Sequence, residues 1–139
     1  MANKLKRNYI QLVTGVKENG EPEFETFLTP HFIPADIWYE CMDVLDEVET
    51  MEEKMNAERK AAEESGEAGN LMSSARMMKK QGELLTDAVV KIYDGQFDKK
   101  DIRKKYHAPD FVEGLQKQVE FIAMGQQDAA TKKFVESQS

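Results

Sequence analysis

The sequence predicts a mainly α chain with a short N-terminal β-hairpin, an α+β protein whose body is a small helical bundle built on a helical hairpin. Three observations predict it. Tyr9 to Thr14 and Phe24 to Leu28 alternate in side-chain character on either side of Asn19-Gly20, the period-two pattern of paired strands. From Ile37 to Ile92 apolar residues instead recur at steps of three and four, broken only around Gly66 and Gly69. Between Asp94 and Ile102 the chain carries stop and start signals for two helices in succession.

The hairpin should run from about Asn8 to Leu28 with a loop longer than two residues around Asn19-Gly20. A lone hairpin is marginal in water, so it must pack on helices or pair with another chain. Thr29-Pro30-His31-Phe32-Ile33-Pro34 then breaks the strand and starts a helix with Pro34 in its first turn. Ile37, Cys41, Val44, Val48, Met51 and Met55 form a heptad-like stripe, widened at its start by Trp38, Met42 and Leu45. Past Glu49 the sequence is charged and rich in Ala, Glu and Lys, so the helix is expected to outrun the core it covers.

Asn70 is placed to cap the next helix, whose seam would be Leu71, Ala75, Met78, Gly82, Leu85, Val89 and Ile92. Two stripes joined by a glycine-containing loop predict an antiparallel helical hairpin, either two core helices of a bundle or a coiled coil. Gly82 weakens the coiled coil and lets another helix approach closely. The second helix should end at Asp94-Gly95, with Gly95 left-handed. Asp98 should cap a short helix from Lys99 to Tyr106, with Asp101 at its third position and Phe97 stapled onto Ile102. After Ala108-Pro109-Asp110 a last helix would present Phe111, Val112, Leu115, Val119, Ile122 and Ala123 on one face and stop at Gly125. Residues 1–125 are thus expected to form one domain. Residues 126–139, with only Phe134 and Val135 as sizeable apolar groups, are expected to be a flexible polar tail, or to order against a partner.

Composition removes several classes of function. A net charge of −7 is wrong for a protein whose main ligand is nucleic acid. No apolar run approaches the roughly 20 residues of a membrane span, so no membrane role is expected. The start of the chain has no apolar core of a secretion signal, and the single cysteine, Cys41, has no internal partner, which together predict a reducing cytoplasm. Cys41 lies on an apolar helix face and is expected to be core.

No catalytic set emerges. His31 and His107 sit in connections without a second histidine or a cysteine at metal-ligand spacing. There is no phosphate-binding glycine loop, and Asp94, Asp98 and Asp101 lack the alternate spacing of a calcium loop. Asp43, Asp46, Glu47, Glu49, Glu52 and Glu53 read as solvated helix surface. Neither enzyme activity nor a cofactor nor a metal is expected. Lys99, Lys100, Arg103, Lys104 and Lys105 form the one dense basic cluster, suited to an acidic partner. The eight methionines are the more suggestive feature, because flexible thioethers suit faces that repack against partners.

The order of these elements and two motifs carry a resemblance. The Pro-rich lead-in Phe27-Leu28-Thr29-Pro30-His31-Phe32-Ile33-Pro34-Ala35, the segment Tyr93-Asp94-Gly95-Gln96-Phe97-Asp98, and a last helix ended by Gly125 resemble the tail assembly chaperones of long-tailed bacteriophages of Gram-positive hosts. The resemblance covers residues 22 to 125, and its motif residues are Tyr93, Gly95, Gln96, Phe97 and Asp98. The charged stretch Glu49 to Gly69 and Lys105-Tyr106-His107 depart from the family pattern. The resemblance implies a non-enzymatic protein of the host bacterial cytoplasm, absent from the mature virion. It would bind the tape measure protein, keep it soluble and recruit tail tube subunits. It also implies a longer product made by translational frameshifting, for which the Lys132-Lys133 codons are one place. Helix-in-groove binding of such a client would use Met42, Met51, Met55, Met72 and Met78 on the hairpin helices and Phe111, Leu115, Val119 and Ile122 on the last helix. A homo-oligomer through the hairpin edge or the heptad faces is a further expectation. The competing reading is a structural tail or neck component retained in the particle.

Overall fold

The computed structural model describes residues 5–65 and 71–138, with side chains described outside 65 and 71–73. Asn70, Gly66 and Gly69, which were expected to cap and break helices, lie outside the described residues, and so does the Met72 side chain. Two antiparallel strands, β1 (Tyr9–Val16) and β2 (Pro22–Leu28), precede five helices: α1 (Ala35–Ser65), α2 (Leu71–Ile92), α3 (Lys99–Lys105), α4 (Phe111–Met124) and α5 (Ala129–Gln138). A single 3₁₀ turn at Ala108–Asp110 leads into α4. The fold is the expected one, mainly α with a two-stranded hairpin.

The hairpin closes through Asn19-Gly20. Gly20 takes φ 89°, and its N–H donates to the Lys17 carbonyl at 2.9 Å. Pairing runs from Tyr9 opposite Leu28 to Val16 opposite Pro22, with a bulge between Val13 and Gly15. Ile10 and Leu12 are buried, whereas Phe24 is 48% exposed.

The helical hairpin is antiparallel. Lys91 pairs with Glu40 at 3.3 Å, and Gln81 Nε2 donates to Glu52 Oε1 at 3.3 Å. Pro34 proves to stand just before α1, its carbonyl accepting from the Ile37 N–H at 3.0 Å. On α1, Cys41, Val48 and Met55 are buried, and Val44 and Met51 are half-buried. Among the described side chains of α2 the seam holds from Gly82 onward. Gly82, Leu85, Val89 and Ile92 are buried, but Ala75 and Met78 face solvent. The core therefore sits in the part of the helical pair that α4 covers.

Phe111 on α4 lies over Gly82 of α2, and Gln118 of α4 meets Tyr93 at the end of α2, so α4 runs parallel to α2 and antiparallel to α1. A Cβ at Gly82 would come within 2.8 Å of the Phe111 ring, which is why glycine occupies a seam position. Gly114 similarly admits the Tyr106 hydroxyl where a side chain would overlap it.

The turn between α2 and α3 ends α2 with two left-handed residues. Gly95 N–H donates to Val90 O and Asp94 N–H to Lys91 O, both at 3.1 Å. This double closure puts Asp94 (φ 54°) in the first left-handed position and Gly95 (φ 72°) in the next, one residue earlier than expected. Asp98 and Asp101 form the expected capping box: Asp101 N–H donates to Asp98 Oδ1 at 2.8 Å and Asp98 N–H to Asp101 Oδ2 at 3.0 Å. The Asp98 N–H donated to it, with Lys105 nearby, holds the Asp101 carboxyl below its ordinary pKa. Phe97 and Ile102 are both buried in the main core.

The C-terminal segment differs from expectation. Residues expected to form a loose tail contain α5, started by Asp128, whose Oδ1 accepts from Thr131 N–H at 2.6 Å. The Phe134 ring lies 4.2 Å from that of Tyr9, and Val135 is 7% exposed. The two apolar residues of the segment suffice because β1 offers them an aromatic surface.

Gln118 joins three elements. Its Oε1 accepts from Tyr93 Oη at 2.6 Å and Asn8 Nδ2 at 3.2 Å, while its Nε2 donates to Tyr9 O at 2.8 Å. Tyr93 is fully buried, and burial foremost pushes its phenol pKa well above the ordinary value, so it stays a donor. Gln118→Met is expected to lower the unfolding free energy by roughly 1–3 kcal/mol, because the Tyr93 hydroxyl is left buried without an acceptor. In a Tyr93→Phe background the same change should cost less, a coupling that urea melts of the four proteins will read.

Cys41 is 0% exposed, and burial, helped by the Glu40 carboxylate, pushes its thiol pKa up to about 12. The protonated, inaccessible thiol should resist a disulfide reagent at mildly alkaline pH in the folded protein and react fully in denaturant. Rapid labelling of the native chain would contradict the packing described.

Candidate protein-docking surfaces

Two regions of the surface expose apolar side chains in an arrangement suited to protein partners. The first is built where the start of α1 meets the end of α4. Trp38 Nε1 donates to Ala123 O at 3.1 Å, which fixes the indole across the last turn of α4. Met42, one turn further along α1, lies on the same side of the helix. Tyr39 stands edge-on to Trp38 with ring centroids 5.1 Å apart. Met124 follows Ala123 directly, and Lys6 Nζ donates to Gly125 O at 2.9 Å, bringing Leu5 to the same end. Trp38 is 40% exposed, Tyr39 64%, Met124 62% and Leu5 60%, so the indole is pinned by its N–H while most of the surrounding apolar surface faces water. Phe32, in the lead-in to α1, is also exposed.

The second region is a groove of about 680 Å³ between α2, α3 and the start of α4. Gly82 and Thr86 lie buried at its bottom with half-buried Phe111 and Val112, and exposed Met78 stands at one end. Lys79, Lys99, Lys100 and Arg103 line it with Glu83 and Asp87. Lys99 pairs with Asp87 at 2.5 Å. Thr86 satisfies itself, its Oγ1 donating to Gly82 O at 2.7 Å.

The residues expected to bind a client are divided between these regions and the core. Met42 belongs to the first surface, and Met78 and Phe111 to the groove. Leu115 and Val119 are fully buried and Met55 is 9% exposed, so these three pack against the chain's own helices and offer nothing to a partner. Met51 is half-buried, and Ile122 is half-buried against the core. Trp38, Tyr39 and Met124 were missed as candidates. Trp38 only widens the α1 stripe, and that off-seam position is the sequence signal that points outward.

The motif residues occupy the α2–α3 turn. Tyr93 and Phe97 are buried, with ring centroids 5.3 Å apart, and Phe97 meets Phe27 of β2 edge-on at 4.9 Å. Gln96 Nε2 donates to Leu28 O at 2.8 Å, fastening the turn to the end of the hairpin. In this arrangement the motif side chains bind other parts of the same chain. A second, polar groove of about 870 Å³ lies between β1, α4 and the start of α5.

Among the described residues no group of three or more His, Cys, Asp or Glu side chains is placed to hold a metal ion, and no helix is long and apolar enough to cross a membrane. Comparison with known protein families finds that a model described as phage tail chaperone protein matches residues 4–139. No curated protein and no solved structure matches the chain.

Proposed function

The chain belongs to the phage tail chaperone family, and we propose that it is a tail assembly chaperone that binds the tape measure protein, keeps it soluble and recruits tail tube subunits. The observation that carries this reading is the exposed apolar end formed by Trp38, Tyr39, Met42 and Met124 on a chain of net charge −7. A large exposed apolar cluster marks a site for protein association, and a like-signed surface keeps its owner in solution while that site is empty. The client supplies helical segments with apolar residues at steps of three and four, and these replace water over the indole and thioethers.

On this reading the protein works in the host cytoplasm as an assembly factor without catalytic activity and is absent from the finished particle. Many weak contacts repeated along a long client give avidity without tight binding at any one of them. Co-expression with the tape measure protein should raise its soluble yield several-fold and give co-purification. Replacing Met42 and Met124 by Glu should abolish the gain without shifting the thermal midpoint, since both side chains are exposed. Emission from Trp38, the chain's single tryptophan, should move to shorter wavelength on client binding. No solubility gain together with no co-purification sinks the proposal. Stoichiometric recovery of the chain from purified virions by mass spectrometry would instead favour a structural tail component.

A further inference from the structure

The basic groove between α2, α3 and α4 is not explained by folding. Lys99 and Lys100 open α3, where positive charge opposes the helix dipole, and capping by Asp98 and Asp101 only offsets that cost. Lys79, Lys100 and Arg103 make no ion pair among the described residues, whereas Lys99 is held by Asp87. Lys100 stands against that local rule without an ion pair, and Lys79 and Arg103 line the same groove equally unpaired among the described residues, so the charge of the groove is not consumed within the chain.

We propose that this groove receives an acidic amphipathic helix of the client protein, apolar along one face and flanked by Asp or Glu. The inference deepens the chaperone reading above and rests on it. The groove runs beside α2 from Met78 to Asp87, which at the helical rise is about 13 Å, room for roughly two and a half turns of a bound helix. Phe111 and Val112 supply the apolar bottom, and Gly82 lets the Phe111 ring lie directly on α2 because it has no side chain in the way. Met78, 53% exposed, is an adaptable wall. Lys100 and Arg103 are left to meet the client's carboxylates. A polyanion such as nucleic acid fits less well, because Glu83 and Asp87 share the groove and the chain as a whole carries −7. A second copy fits less well too. Its acidic helix α1 already spends the apolar stripe Cys41, Val48 and Met55 on its own core.

The test uses two synthetic helical peptides of about fourteen residues, long enough to cover the groove. Both carry leucines along one face; one has glutamates flanking the stripe and the other lysines. Titrated into the ¹⁵N-labelled full chain, the glutamate peptide should shift the amides of Gly82, Arg103 and Val112. It should bind at least about tenfold more tightly than the lysine peptide, with a preference that fades as salt rises. The double variant K100E/R103E, altered only at exposed side chains, should reverse the preference while keeping the native spectrum elsewhere. Equal binding of both peptides, shifts confined to other surfaces, or no shifts with either overturns the proposal. So does a dimer in light scattering that K100E/R103E dissolves, which would make the occupant a second copy. The peptides contain no phage sequence, so the outcomes separate. A groove that selects acidic helices while tape measure solubility is unchanged removes the client role and leaves the site. A solubility gain without groove selectivity does the reverse.

Discussion

A two-stranded hairpin has no stability of its own, and most of the long-range polar contacts in this chain serve to fix one in place. Gln118 is central to that task. A primary amide offers two acceptor sites and two donors in one plane, and here both ends are engaged: the oxygen by Tyr93 and Asn8, the nitrogen by Tyr9. One side chain from α4 thereby sets the spacing between α2, α4 and β1. The far strand is held separately. Gln96 ties Leu28, and Arg7 donates to the Thr29 carbonyl from both Nε (2.8 Å) and Nη2 (2.6 Å), closing the strand ends at the same level. With hairpin and helices locked in this way, the apolar end around Trp38 is a defined surface, because the α4 turn that pins the indole is itself referenced to the sheet.

The parts of this arrangement that were legible in the sequence are those written within a few residues. Asp98 and Asp101 announce each other at a spacing of three, and Gly95 announces the end of α2, because both depend on backbone geometry local to the turn. Gln96 sits in the turn without a role under capping rules, and its acceptor lies 68 positions away. Gln118 was invisible for the same reason, with partners 25, 109 and 110 positions distant. A side-chain amide carries no periodicity, so nothing short of the fold points to its contacts. The last helix shows the intermediate case. Asp128 three residues before Thr131 is a start signal, but whether Phe134 and Val135 could hold a helix depended on finding Tyr9 beside them.

The docking surfaces expose a deeper limit of pattern reading. An apolar stripe states that one face of a helix leaves water without stating what covers it. Leu115 and Val119 on α4 and Met55 on α1 satisfy the same periodicity as Met78 on α2, yet the first three are consumed by the chain's own packing. The difference arises from lengths. α2 has 22 residues and α4 has 14, so the shorter helix covers only part of α2, and α2 seam positions before its start stay open among the described side chains. Ala75 and Met78 are exposed because they lie on the stretch of α2 before Phe111 begins to cover it.

The same geometry separates the two surfaces along the helical pair. Trp38 lies near the Glu40–Lys91 end, and the groove runs beside α2 from Met78 to Asp87, its middle about eight residues and therefore roughly 12 Å from Lys91 along α2. Under the proposed role this spacing has a consequence for how a client is held. An apolar end alone would accept any exposed hydrophobic segment in any register, since apolar contact is non-directional. A basic groove centred roughly 12 Å further along α2 favours a segment whose acidic flank arrives at about that distance from its apolar one. The acidic remainder of the surface penalises other placements of the same carboxylates, so selection comes from repulsion as much as from attraction. Each contact can then stay weak enough for the client to be handed on, while the pair of contacts still sets where along the client the protein sits.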